Sequence, residues 1–305
     1  MSMRLLITGA WSDAKAHIPE LEALGHEIAF MQQEKDALPC DPAWVEGVIG
    51  NGLFLHHLIE SFPNLCYIQL TSAGFDRVPM DYVKAHGIEI HSARGVYSIP
   101  MAEFAVAGVL QLYKQSRFFY ENQKARRWEK RRDLMELSGK TVLILGCGSV
   151  GTECAKRFKA FGCTVVGLNR TARENPAFDE IRPLDKLNSA LPEADVLILT
   201  LGLSKDTRHL MNAERLALLK PGAVLVNIAR GALIDTAALT AALPKLTGAV
   251  LDVFEEEPLP TSSPLWDAEN VLLTPHNSFV GEGNGARLAR AIIVQLIKTQ
   301  EKAML

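Results

Sequence analysis

Short apolar runs alternate along the chain with longer stretches in which apolar residues recur every three or four positions. Up to residue 91 the runs fall at 5–8, 27–30, 48–49, 67–70 and 88–91. Runs of this length separated by helix-length segments predict a parallel sheet flanked by helices. Pro100 then opens a helical stretch predicted to continue to about Gln123, with Met101, Phe104, Ala105, Gly108, Val109 and Leu112 at helical spacing. A second series of apolar runs follows at 142–145, 165–168, 196–199, 224–227, 249–251 and 271–273. The expected fold is therefore α/β, with two Rossmann-like, doubly wound parallel-sheet domains and a cleft between them. The domain change falls near Pro100, giving one domain over 100–280 and another over 1–99 plus 281–305. In that arrangement an amphipathic helix at about 286–298 returns to the first domain.

Composition narrows the picture without changing it. The 305 residues suffice for two domains with a core each. With 48% hydrophobic and 22% charged residues, the chain is expected to fold throughout. A formal net charge of −3 gives no overall attraction to nucleic acid or anionic lipid, so neither partner is expected. The basic run at 124–132 reads as a solvated helix end or loop. Cys40, Cys66, Cys147, Cys154 and Cys163 show neither disulfide density nor paired metal spacing, so no metal site is expected. The first residues carry no export-signal pattern, which predicts a cytoplasmic protein.

The strongest local signal is Gly146-Cys147-Gly148-Ser149-Val150-Gly151, which lies between a predicted strand and a predicted helix. Gly146 permits the tight turn, Gly148 admits a pyrophosphate close to the backbone, and Gly151 lets helix pack on strand. The helix start at Ser149 and Val150 supplies free amides, so the 100–280 domain is expected to bind a nicotinamide dinucleotide. The next strand ends at Asn169, roughly twenty residues further on, where a carboxylate would ordinarily hold the adenosine ribose. Asn169, Arg170 and Thr171 stand there instead. This set does not repel a 2′-phosphate and can pair with it, so NADP is preferred, with NAD possible.

Three later segments each follow a strand and reach the same sheet edge: one through Asn227-Ile228-Ala229-Arg230-Gly231, one from Asp252 to Glu257-Pro258, and one at Thr274-Pro275-His276. An arginine, a carboxylate and a histidine beside a nicotinamide suit reduction of a 2-keto acid. Arg230 can bind the substrate carboxylate and polarise the ketone, and His276 can donate the proton that balances hydride arrival. Glu257 can hold His276 in its protonated form through an opposite-charge hydrogen bond. Glu255 and Glu256 are expected to be solvated, and the other seven histidines to be surface or packing residues. In the first domain, the turns Gly50-Asn51-Gly52 and Ser72-Ala73-Gly74 end predicted strands, and both could face a substrate.

With these segments the sequence resembles the D-2-hydroxyacid dehydrogenase family, specifically its glyoxylate and hydroxypyruvate reductase-like members, over nearly its whole length. The resemblance implies that Arg230, Glu257 and His276 are catalytic, that the 1–99 plus 281–305 domain binds substrate in a flavodoxin-like fold, and that the protein is a homodimer. It implies substrate contacts from Ser72, Ala73 and Gly74 beside Arg230 and His276. It also implies cofactor contacts from Thr200, Leu201, Thr207, Ile228, Ala229 and Asp252 in addition to the glycine turn. Two departures stand out. Leu201-Gly202-Leu203 replaces a proline-containing segment common in the family, and 94–100 lacks an asparagine usual there, leaving Tyr97 and Met101 to line the cleft. The expected activity is NAD(P)H-dependent reduction of glyoxylate, hydroxypyruvate or a phenylpyruvate-like acid to the D-2-hydroxy acid. The alternative is a dinucleotide-sensing, corepressor-like binding protein, a role to which the same fold is put.

Overall fold

The computed structural model describes residues 2–171 and 174–302. It resolves into two compact units, one of Met1–Tyr97 with Gly281–Leu305 and one of Ser98–Val280.

In the first unit, β1 (Arg4–Thr8), α1 (Ala14–Ala23), β2 (Glu27–Met31), β3 (Gly47–Gly50), β4 (Tyr67–Leu70), α2 (Met80–Ala85) and β5 (Glu89–His91) follow in chain order. The five strands are parallel in the order β2-β1-β3-β4-β5. They read as continuous apolar runs because both faces are covered. One face packs Leu5, Ile7, Trp11 and Leu21 with Leu288, Ile292 and Leu296 from the chain's last helix, and the other packs Leu6, Val48, Ile68 and Val83.

The second unit comprises α3 (Ser98–Tyr113), α4 (Ser116–Lys124), β6 (Thr141–Leu145), α5 (Ser149–Ala160), β7 (Thr164–Asn169), β8 (Glu180–Pro183), α6 (Leu187–Ala190), β9 (Val196–Leu199), α7 (Ala213–Leu218), β10 (Val224–Asn227), α8 (Thr236–Ala242), β11 (Gly248–Leu251) and β12 (Val271–Leu273). Helix α9 (Asn284–Lys302) then belongs to the first unit. The seven parallel strands run β12-β11-β10-β9-β6-β7-β8. The order reverses between β6 and β9, and ligands of open α/β sheets bind outside the carboxyl ends of the strands at such a point.

Two elements differ from the sequence expectation. The single helix predicted from Pro100 to about Gln123 is two helices, because Gln115 takes a left-handed conformation with φ 53° that stops α3. Tyr113 is buried at the end of α3, whereas α4 is polar on most of its surface. Strand β8 was not expected. It is a sheet edge, where Glu180, Arg182 and Pro183 are tolerated and the alternation is too short to read. Among the described residues no helix is long and apolar enough to cross a membrane.

Candidate active site

Strand β6 delivers the chain into a left-handed turn at Gly146, φ 106°, where a side chain would be strained. A Cβ on Gly151 would lie 2.0 Å from the Gly146 carbonyl oxygen, so α5 rests directly on the turn. The hydroxyl of Thr200, just past β9, hydrogen-bonds the carbonyl oxygens of Gly146 and Leu145 at 2.7 and 3.0 Å. It braces the glycine turn. The first amide of α5 engaged in a helical bond is that of Thr152, which donates to the Gly148 carbonyl at 2.8 Å. The amides of Ser149 and Val150 find no acceptor among the described residues and are left for an anion. Cys147 packs inward, since a Cβ on Gly167 would meet its Sγ at 2.5 Å, and burial pushes its thiol up to about 11.

At the end of β7, Asn169 donates from Nδ2 to the Thr171 carbonyl at 3.1 Å. Arg170 is exposed beside it and makes no ion pair among the described residues. Thr207 is buried; its hydroxyl accepts from the Ser204 amide at 2.7 Å and bonds the Gly202 carbonyl at 2.9 Å, which folds the 201–207 loop. Leu201 packs partly buried on the core, and the Ile228 side chain is buried, so at Ile228 only the backbone can meet a ligand. The glycine turn, its free amides and the Asn169-Arg170 pair fit a dinucleotide phosphate chain and ribose.

The other end of this edge carries the chemistry. Asn227, buried at the end of β10, accepts the Ala229 amide at 3.1 Å and donates to the Arg230 carbonyl at 3.0 Å, shaping the turn that presents Arg230. The guanidinium of Arg230 donates to the Ala229 carbonyl at 2.7 Å. A Cβ on Gly231 would fall 1.8 Å from the Phe254 carbonyl carbon, so this turn is pressed against the segment after β11. There the Phe254 amide donates to Glu257 Oε1 at 3.0 Å, and Glu257 Oε2 meets His276 Nδ1 at 2.8 Å. His276 itself has φ 52°, a conformation unusual for a non-glycine residue. Asp252, fully buried, holds it there: its carboxylate accepts from Thr274 Oγ1 at 2.6 Å and from the amides of Asn277 and Ser278 at 2.7 and 2.9 Å. Its carboxylate oxygens are thus committed to the histidine loop.

A model of the D-isomer specific 2-hydroxyacid dehydrogenase NAD-binding domain matches residues 106–278, the stretch that contains the glycine turn, Arg230, Glu257 and His276. The chain belongs to this family. It is 34% identical over 253 residues to a glyoxylate reductase of Pyrococcus horikoshii, covering 79% of this chain and 75% of that one. A solved D-isomer specific 2-hydroxyacid dehydrogenase family protein from Aeromonas salmonicida superposes with a TM-score of 0.85 at 32% identity, covering 98% of this chain and 96% of that one. Another family member, from Xanthobacter autotrophicus and solved with NADPH and MES, gives 0.78 at 29% identity, with 98% and 96% covered.

Within the family frame, two sequence expectations are corrected. Glu255 is not simply solvated: its carboxylate meets His209 Nε2 at 2.5 Å and accepts from the amide and hydroxyl of Thr236 at 2.9 and 2.6 Å. Partial desolvation raises its pKa, but the Thr236 and His209 hydrogen bonds outweigh it and hold the carboxyl below the usual range. In the first unit, the amides of Asn51 and Gly52 do not await a substrate; the Glu34 carboxylate already takes both at 2.7 Å. The neighbouring turn differs. Ser72 Oγ donates to the Gly74 carbonyl at 3.1 Å, while the amides of Ala73 and Gly74 meet no acceptor among the described residues. Asn227, Thr274 and Glu34 were given no role from sequence, and only the asparagine at a strand end carried a local signal for one.

Proposed function

We propose that the protein reduces a small 2-keto acid, such as glyoxylate, hydroxypyruvate or a phenylpyruvate-like acid, to the D-2-hydroxy acid, with NADPH preferred over NADH. The observation that carries this reading is the Glu257–His276 hydrogen bond of 2.8 Å on a loop pressed against the Arg230 turn.

A bound reduced nicotinamide supplies the hydride. Gly146, Gly148, Ser149, Val150 and Gly151 hold the pyrophosphate, and Asn169, Arg170 and Thr171 take the adenosine ribose and its 2′-phosphate. Backbone at Leu201, Ile228 and Ala229 borders the nicotinamide, with Thr200, Thr207 and Asp252 shaping those segments. Because Nδ1 of His276 is engaged by Glu257, Nε2 remains to protonate the developing alkoxide. Arg230 has a planar fork of donors that can bind the substrate carboxylate and polarise the ketone. The free amides of Ala73 and Gly74, with Ser72 fixing their turn, suit a carboxylate as well. Absence of a carboxylate at Asn169 and the exposed Arg170 support the NADPH preference.

The deciding experiment assays a panel of 2-keto acids with NADPH and NADH, alongside Arg230→Ala and His276→Ala. Turnover that falls by about 10²- to 10⁴-fold in the variants supports the assignment. Undiminished turnover in either variant, or no reduction of any keto acid by the wild type, overturns it. The reading includes a homodimer, with Trp128, 95% exposed, among the residues a second copy would cover. Light scattering of the purified protein tests it, and a monomer at micromolar concentration refutes it.

A further inference from the structure

The segment around His209 has an unusual backbone and unusual company. His209 adopts φ 49°, in the left-handed region that a non-glycine residue enters only when its surroundings hold it. Its amide donates to the Ala232 carbonyl at 2.8 Å, Met211 N donates to Leu233 O at 2.9 Å, and Asp235 N returns a bond to Met211 O at 3.1 Å. The 207–211 segment is thereby laced to the turn that begins at Arg230. From the other side, Glu255 reaches both partners of this lacing. One carboxylate oxygen meets His209 Nε2 at 2.5 Å, and the other accepts from the amide and hydroxyl of Thr236.

Glu255 lies two residues from Glu257, in a segment with little freedom. Gly231 leaves no space between the Arg230 turn and Phe254, and the Phe254 amide is spent on Glu257 Oε1. Three segments that are distant in sequence therefore share a single anchor. One ends the 201–207 loop at Thr207, one carries Arg230, and one carries the partner of His276.

We infer that Glu255, clamped by His209 and Thr236, is a positioning residue that fixes Glu257, and through it His276, relative to the Arg230 turn. The inference rests on the proposed roles of Glu257 and His276. When the clamp is broken at His209 or Thr236, the 254–257 segment keeps its sequence and its charge but loses the constraint that aims Glu257 Oε2 at His276 Nδ1. Misplacement of a catalytic group by about 1 Å can cost about a hundredfold in rate. The cofactor's phosphates and ribose are held elsewhere, at the glycine turn and β7, so their binding should be little affected.

The test compares the full-length protein with Glu255→Gln, His209→Leu, His209→Gln and Thr236→Val. It measures kcat and KM for the best keto acid, NADPH affinity by fluorescence titration, and the His276 ring signals by NMR in the absence of substrate. Glu255→Gln and His209→Leu are expected to lower kcat by about ten- to a hundredfold. NADPH affinity should stay within about threefold, and the His276 ring signals should shift or broaden. His209→Gln, which keeps a donor, should recover most of the rate, and Thr236→Val should fall between. Unaltered kcat and His276 signals in Glu255→Gln and His209→Leu would overturn the inference, as would His209→Gln being no better than His209→Leu. Should the wild type reduce no keto acid, the proposed function fails separately, and the clamp is then judged by the His276 signals alone.

Discussion

The backbone amide of His276 donates to the carbonyl oxygen of Asp252 at 2.7 Å, tying the left-handed histidine to the residue that follows β11. The same aspartate accepts, through its side chain, from Thr274, Asn277 and Ser278. One buried residue thus brackets His276 from both sides in sequence. The histidine's unfavourable backbone geometry persists because this network over-determines it.

Asp252→Asn should therefore harm the loop more than its near-identical size suggests. An amide nitrogen cannot accept, so at least one buried amide or hydroxyl donor loses its partner, at a cost of about 1–3 kcal/mol. Urea unfolding is expected to show that loss. kcat/KM is expected to fall together with it, although Asp252 carries no proton in the proposed reaction. Full activity in a destabilised Asp252→Asn protein would break the link between this network and His276.

Gly151→Ala is expected to fail for a different reason. The added Cβ would sit 2.0 Å from the Gly146 carbonyl oxygen, a backbone atom that cannot move without displacing the whole turn. Forced overpacking of this kind costs about 1–3 kcal/mol. NADPH binding, followed by fluorescence, should weaken by at least tenfold or so, since about 1.4 kcal/mol is one decade in affinity. An alanine variant that binds NADPH with wild-type affinity would show that the turn tolerates a shift.

Local chemistry made the glycine turn, Arg230, Glu257 and His276 legible in the sequence. Each has a residue type demanded by geometry or reaction and stands in the segment that follows an apolar strand. The residues that aim them were hidden because their partners are remote in the chain. Glu255 looked like one of two solvated acids until His209 and Thr236 folded onto it, and Glu34 gave no hint that it would fill the Asn51-Gly52 amides. The break at Gln115 was masked in the same way, since its flanking residues keep helical spacing and only the backbone reversal separates α3 from α4. Strand β8 escaped because an edge strand needs no continuous apolar run.

Cofactor choice should turn on β7. Arg170→Ala removes the cation expected to pair with the 2′-phosphate, and a hydrogen bond to a charged group contributes about 1.5–3 kcal/mol. KM for NADPH is expected to rise about ten- to a hundredfold, with little change for NADH. Asn169→Asp should go further, because a carboxylate repels the phosphate and can accept from the ribose hydroxyls of NADH. Steady-state kinetics with both cofactors decides the matter. An Arg170→Ala enzyme that keeps its NADPH KM would remove the basis for the preference.

Acid stability should depend on Asp195, far in the fold from the chemistry. It sits before β9 at the strands' amino ends, where its carboxylate meets Lys220 Nζ at 2.7 Å and Lys140 Nζ at 3.8 Å and accepts the Thr141 amide at 2.8 Å. Burial raises its pKa, but these lysines and the amide prevail and hold it below the usual carboxylate value. The folded state therefore binds fewer protons here than the unfolded chain. The resulting stability is fully present above the unfolded value, near pH 4, and is lost as pH falls through the lower folded value. Melting temperatures of wild type and Asp195→Asn, followed from pH 7 to pH 3, should differ most above about pH 5 and converge in acid. A gap of constant size across that range would mean that the asparagine's effect is one of packing and that the carboxylate's charge plays no part.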